Sequence, residues 1–139
     1  MHIATVSDMR AWACGFAMGL RAPRAVALHG DLGMGKTEIA RAIIQTLCGS
    51  DTVVPSPTFT LVQSYDAKSG GDATPRISHF DLYRITDASE LEEIGLSHAC
   101  ANDITLIEWP EIAESMLPRD TVHIYITAEG EGRKIEIKE

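Results

Sequence analysis

An apolar run at residues 25–28 leads into the octapeptide Gly30-Asp31-Leu32-Gly33-Met34-Gly35-Lys36-Thr37, and apolar residues at helical spacing follow. The octapeptide fits G-x-x-x-x-G-K-[ST], the loop that wraps the phosphates of a nucleotide in backbone N–H groups. With glycine at about 7% of average usage, a chance match in a chain this long arises roughly once in a few hundred sequences. Residues 25–28 read as a short buried strand. Ile39, Ala40, Ile43, Ile44 and Leu47 recur at helical spacing until Gly49 stops the helix. The loop therefore lies at a helix N-terminus, where unpaired amides and the helix dipole favour an anion. That context outweighs the competing reading of a glycine-rich strand-to-helix turn with no ligand.

Within the loop, glycines let the backbone approach phosphate with no Cβ in the way. Lys36 supplies a point charge to the β- and γ-phosphates, and Thr37 offers its hydroxyl to magnesium. Magnesium also needs a carboxylate at the end of a buried strand beside the loop. Asp81 and Glu108 are the two candidates. Glu108 follows the cleaner apolar run, 104–107, and is preferred as the metal-side acid, directly or through a water. Asp81, in a mixed strand next to His79, is assigned to orienting a water or a group behind the metal ligands. Thr58 and Thr60 follow a proline-stiffened segment and suit either a γ-phosphate switch or the polar opening of a strand. Tyr83 and Arg84 suit a partner or charge-stabilising role, and Arg133 suits stacking on a base. His2, His29, His98 and His123 share no ligand-like spacing and receive no function.

The 139 residues, 45% of them hydrophobic, amount to one domain with a real core, spanning 1–139. Kinases with such loops usually carry a lid and an acceptor pocket beyond the nucleotide core. The short length argues that any co-substrate site is minimal or comes from another protein. Twelve Lys and Arg against twenty Asp and Glu leave a formal charge of -8, which repels a phosphate backbone, so the chain is not expected to grip tRNA or DNA by itself. Three widely spaced cysteines without C-x-x-C suggest neither a disulfide frame nor a zinc site and fit a reducing cytoplasm. No apolar run approaches the ~18 residues of a spanning helix, and no leader pattern opens the chain, so no membrane association is expected.

Along the chain, residues 2–6 read as a short strand. Ser7 or Asp8 caps a helix to about Leu20, with Trp12, Phe16 and Leu20 as a core stripe. Pro55 and Pro57 stiffen 53–58. Residues 59–65 and 76–83 alternate as two strands paired in a hairpin across the polar turn 66–75. Asp87 and Glu90 have capping-box spacing for a helix with Leu91, Ile94 and Leu96 inward. Residues 104–107 form a central buried strand, 111–117 a short helix stopped by Pro118, and 121–128 with 133–138 a final hairpin. No internal repeat is visible.

Five stretches in order, Gly-Asp-Leu-Gly-x-Gly-Lys-Thr (30–37), Ser-Pro-Thr-Phe-Thr-Leu-Val (56–62), His-Phe-Asp-Leu-Tyr-Arg (79–84), Glu-Leu-Glu-Glu-Ile-Gly (90–95) and Ile-Glu-Trp-Pro-Glu (107–111), closely resemble the bacterial TsaE (YjeE) family. The resemblance spans nearly the whole chain. It implies an α/β fold of the P-loop NTPase type: a three-layer sandwich with a mixed, largely parallel central sheet and β-hairpin additions. It also implies a magnesium-dependent ATPase required to make N6-threonylcarbamoyladenosine beside the tRNA anticodon. The TsaD and TsaB proteins would carry the transfer chemistry and hold the tRNA, while ATP hydrolysis here permits repeated turnover.

Carried over by motif, ATP falls to Asp31, Leu32, Gly33, Met34, Gly35, Lys36, Thr37 and Glu38, with Arg133 added from the residue reading. Magnesium falls to Thr37 and Glu108, and catalysis to Lys36, Asp81 and Glu108. Ser56, Thr58 and Thr60 look like the switch, and Tyr83, Arg84 and Trp109 like the family-specific surface around the site. Met34 stands where the family often has Ala, a change without consequence at a backbone-contributing position. Glu38 stands where a second Thr is common, and its charge suits the helix dipole but weakens ATP binding if it turns toward the phosphates. Two alternatives stay open: a small-molecule kinase acting near Asp81 and Arg84, for which no Arg-rich lid is found, and a nucleotide sensor that does not hydrolyse.

Overall fold

A computed structural model describes residues 1–57, 60–67 and 75–139. In chain order the elements are β1 (His2–Ile3), α1 (Val6–Ala17), β2 (Arg24–His29), α2 (Lys36–Cys48), β3 (Val62–Asp66) and β4 (Arg76–Asp81). There follow α3 (Glu90–Glu93), α4 (Leu96–Asn102), β5 (Ile104–Glu108), a 3-10 helix (Pro110–Met116), β6 (Val122–Glu129) and β7 (Gly132–Lys138).

The unbroken apolar run in β2 has no solvent-facing side, and such a strand is stable only when covered on both faces. It sits inside the sheet, between β5 and β6 and parallel to both, with Ala25, Val26, Ala27 and Leu28 all fully buried. The sheet has seven strands in the order β1-β7-β6-β2-β5-β4-β3. Strands β6, β2, β5 and β4 run parallel, while β7 and β1 at one edge and β3 at the other join antiparallel. Alternation sends Val26 and Leu28 to a core shared with α1 and α2, and Ala25 to a second core with Phe80, Ile107, α3 and α4. Helices thus cover both faces, giving the expected three-layer mixed α/β arrangement with hairpins added to its parallel centre.

Several boundaries moved, each for a local reason. The first strand is two residues long. Helix α1 is capped by Thr5 instead of Ser7 or Asp8: Thr5 keeps extended backbone, and its Oγ1 accepts the Asp8 amide at 3.1 Å. Changing Thr5 to Ala should therefore cost about 1 kcal/mol in chemical denaturation, while Thr5→Ser costs less than about 0.5 kcal/mol; equal stability of both variants with the parent would contradict the cap. Trp12 and Phe16 stack at 5.4 Å against the core, as their spacing implied, and Leu20 is buried by a turn beyond the helix end.

Strand β4 ends at Asp81 and not at residue 83, because Asp81 Oδ1 accepts the Tyr83 amide at 3.0 Å and turns the chain. Only half of the expected Asp87–Glu90 box forms: Glu90 Oε2 accepts the Asp87 amide at 3.3 Å, but Asp87 Oδ1 accepts the amide and hydroxyl of Ser89, the Glu90 amide goes to the Asp87 carbonyl, and the N-cap of α3 is Ser89 without a side-chain cap. The helix it opens is broken at Gly95, whose φ of 81° no helix continues, and α4 beyond it was not anticipated. The expected hairpin of β3 and β4 pairs in register from Val62 with Phe80 to Asp66 with Arg76, although Phe59 and residues 68–74 of that prediction lie outside the described residues. Cys48 and Cys100 are buried and Cys14 is exposed. Among the described residues no helix is long and apolar enough to cross a membrane.

Candidate functional site

Three parallel strands end at one level. The register pairs Leu28 of β2 with Glu108 of β5, and Glu108 with Asp81 of β4. Beyond β2 the chain becomes the glycine-rich loop and enters α2, so loop, Glu108 and Asp81 meet at the carboxyl edge of the sheet, where open α/β sheets bind ligands. Ile77, His79 and Asp81 alternate onto one face of β4, and Ile104, Leu106 and Glu108 onto the same face of β5. It is the face that packs α2.

The helix start is built for an anion. Gly35, the N-cap of α2, has φ 116° and no side chain caps the helix, so the first-turn amides lack both intrahelical acceptors and a side-chain oxygen. Gly33 also has positive φ, 82°. A Cβ on Gly35 would lie 2.6 Å from Met9 Sδ, which makes Met9 of α1 the floor beneath the loop.

Lys36 is only 5% exposed and donates to the carbonyls of Gly30 and Asp31, the second at 3.0 Å. Its ammonium lies 3.7 Å from the centroid of the Trp109 ring. Burial lowers its pKa below the usual lysine value, and the nearby carboxylates of Glu108, Glu111, Asp31 and Asp81 oppose that shift. Trp109 is held at φ 55°, unusual for a non-glycine residue, with the Tyr83 ring 4.9 Å away.

The Thr37 hydroxyl donates to Glu108 Oε1 at 2.7 Å, and His79 Nε2 lies 2.6 Å from Glu108 Oε2. Glu108 is therefore gripped at both oxygens, which explains how a carboxylate 3% exposed is tolerated. A cavity of about 390 Å³ opens over these groups. Its walls include Leu32, Gly33, Gly35, Lys36, Thr37, Glu38, Ser56, Asp81, Tyr83, Glu108 and Trp109, which gathers most of the residues singled out from sequence into one place.

The others lie differently. Met34 and Arg133 line a second cavity of about 180 Å³ on the other side of the loop, with Ile3, Thr5, Met9 and Glu131. Arg133 braces the loop by donating to the carbonyls of Met34 at 3.2 Å and Gly33 at 3.4 Å. Asp31 is exposed and contributes its carbonyl to Lys36. The Glu38 carboxylate is held by Arg41 at 2.6 Å and Arg10 at 3.2 Å, a restraint against turning toward a phosphate. Thr60 and Arg84 are exposed and absent from the cavity walls, and Thr58 lies outside the described residues.

Sequence reasoning passed over His79, Met9 and the Lys36–Trp109 stack. Only His79 carried a signal: two residues before Asp81 in a strand, it had to share that residue's face. No local pattern predicts the left-handed backbone of Trp109 or the seat of Met9 under a loop 21 to 28 residues away in sequence.

The sequence profile described as "Threonylcarbamoyl adenosine biosynthesis protein TsaE" matches residues 3–135. The tRNA threonylcarbamoyladenosine biosynthesis protein TsaE of Rickettsia bellii is 40% identical over 119 residues, covering 84% of this chain and 78% of that protein. Its counterpart in Haemophilus influenzae is 41% identical over 113 residues, covering 81% and 68%. The crystal structure of Bacillus subtilis YdiB superposes with a TM-score of 0.71 at 26% identity, covering 97% of this chain and 80% of that one.

Proposed function

This chain belongs to the TsaE family of threonylcarbamoyl adenosine biosynthesis proteins, and we propose that it acts there as a magnesium-dependent ATPase of the P-loop NTPase type, serving a cytoplasmic tRNA-modifying complex. The observation that carries the reading is the Thr37–Glu108 contact of 2.7 Å, set beside Lys36 at an uncapped helix start. A hydroxyl and a carboxylate are hard oxygen donors of the kind magnesium prefers. Among the described residues no group of three or more His, Cys, Asp or Glu is arranged to hold a metal. Magnesium is commonly held by one or two protein oxygens and completed by phosphates and water. Bound there, magnesium would neutralise phosphate charge.

The chain's own residues do the rest. Loop amides and the first turn of α2 bind the phosphates, and Lys36 exchanges its two carbonyl acceptors for phosphate oxygens, a stronger charge-assisted bond. Asp81, whose carboxylate already holds the Tyr83 turn, is placed to orient a water at the cavity wall. The second cavity, with Thr5 and Arg133, suits the nucleoside. The charge of -8 supports the view that tRNA is held by partners, proposed to be TsaD and TsaB, and reaches this chain indirectly.

Phosphate release should be measured for the chain alone, with TsaD and TsaB, and with magnesium removed. Slow magnesium-dependent hydrolysis, raised when the partners are added, is expected. Tight ATP binding without turnover in the full mixture would make the protein a nucleotide sensor, and turnover that waits for an added metabolite would make it a kinase.

A further inference from the structure

We propose that His79 is the positioning residue for Glu108, holding one carboxylate oxygen so that the other is presented to Thr37 and the cavity. The inference rests on the magnesium-dependent ATPase reading. The imidazole is fully buried on the α2 face of β4, in a row with Ile77 and beside Leu106 of β5. Its Nε2 meets Glu108 Oε2 at 2.6 Å, while Nδ1 is buried with no hydrogen-bond partner among the described residues.

Packing alone does not account for that arrangement. A Leu or Phe would fill the same apolar row without stranding a nitrogen, and stranding a buried polar atom is destabilising. Among the described residues the one polar contact His79 makes is the bond to Glu108, and that bond is what the imidazole is there for. A carboxylate's terminal torsion is broad and roughly two-fold, and Thr37 can release its own bond to Glu108 whenever its hydroxyl turns to another partner. His79 is then the grip that remains. Partners that fix a metal-side ligand from behind typically govern metal affinity by about 10- to 100-fold.

The test compares His79→Phe, which fills the volume and removes the donor, with His79→Gln, which restores a donor at similar reach. Binding of a fluorescent ATP analogue is titrated with magnesium. His79→Phe should need about 10- to 100-fold more magnesium for the same affinity, with magnesium-free nucleotide binding unchanged, and His79→Gln should recover most of the loss. Side-chain nitrogen NMR of the ligand-free parent should show His79 protonated at Nε2.

A parental magnesium requirement in His79→Phe overturns the proposal, as does protonation at Nδ1 alone. If His79→Phe does not fold, the Gln variant and the NMR decide: a Gln variant with the magnesium requirement expected of Phe also overturns it. If the parent binds no nucleotide at any magnesium concentration, the ATPase reading has failed, while the NMR still reports on the grip.

Discussion

Replacing Lys36 with alanine is expected to slow ATP hydrolysis by about 10²- to 10³-fold, the effect of removing one preorganised donor from a developing charge. Among the described residues lining the cavity over the loop, Lys36 is the only cation, set against Glu38, Asp81 and Glu108. The parent structure also spends free energy on burying this ammonium, as its lowered pKa records. Its bonds to the Gly30 and Asp31 carbonyls and its place over Trp109 offset that cost. Folding should therefore be little affected while activity collapses. Lys36→Arg should not rescue, because a planar fork does not fit where a compact ammonium sits between two carbonyls and a ring. Phosphate release with an unfolding curve on the same samples checks both halves. Hydrolysis within a few-fold of the parent would remove Lys36 from the mechanism.

The largest effect on stability is expected at Phe80. Its side chain, 1% exposed, anchors the core on the face of the sheet away from α2, among Leu82, Leu91, Leu96, Ile107 and Ala113. Phe80→Ala should lower the unfolding free energy by about 3–5 kcal/mol. A domain of this size holds roughly 5–15 kcal/mol in all. Strand β4 carries Phe80 on one face and His79 and Asp81 on the other, so a strand that shifts into the cavity left by Phe80 also moves the acidic wall of the site. A urea midpoint far below the parent's is expected, with magnesium-dependent nucleotide binding weakened even where the variant is still folded. A loss below about 1 kcal/mol would mean that this core closes around the gap and does not fix β4.

Those two residues differ in how far they could be read in advance. Lys36 lies in a contiguous motif whose chemistry is set by spacing along the chain. Glu108 was legible for a similar reason, since a largely apolar four-residue run ending in an acid describes a buried strand with a carboxylate at its end, although that end, expected at the surface, is only 3% exposed. Phe80 announced only that it alternates with its neighbours; which core it fills depends on α3 and α4, and α4 was hidden behind Gly95. The hairpin of β3 and β4 was readable because its strands are close in sequence. The pairing of β1 with β7 was not, because His2 meets Lys134 across nearly the full length of the chain.

Local order therefore came from the amino acids in sequence: the loop, its flanking strand and helix, the acid at the end of β5, and through five ordered motifs the family. These depend on neighbours within one or two turns, where backbone geometry and side-chain period leave few choices. The tertiary structure decided which strands lie side by side, and with that the meeting of Thr37, Glu108 and His79 from α2, β5 and β4. It also set Trp109 over Lys36 and Arg133 under the loop. Such contacts arise only when parallel strands, which short turns cannot connect, are brought together by the helices that pack on them.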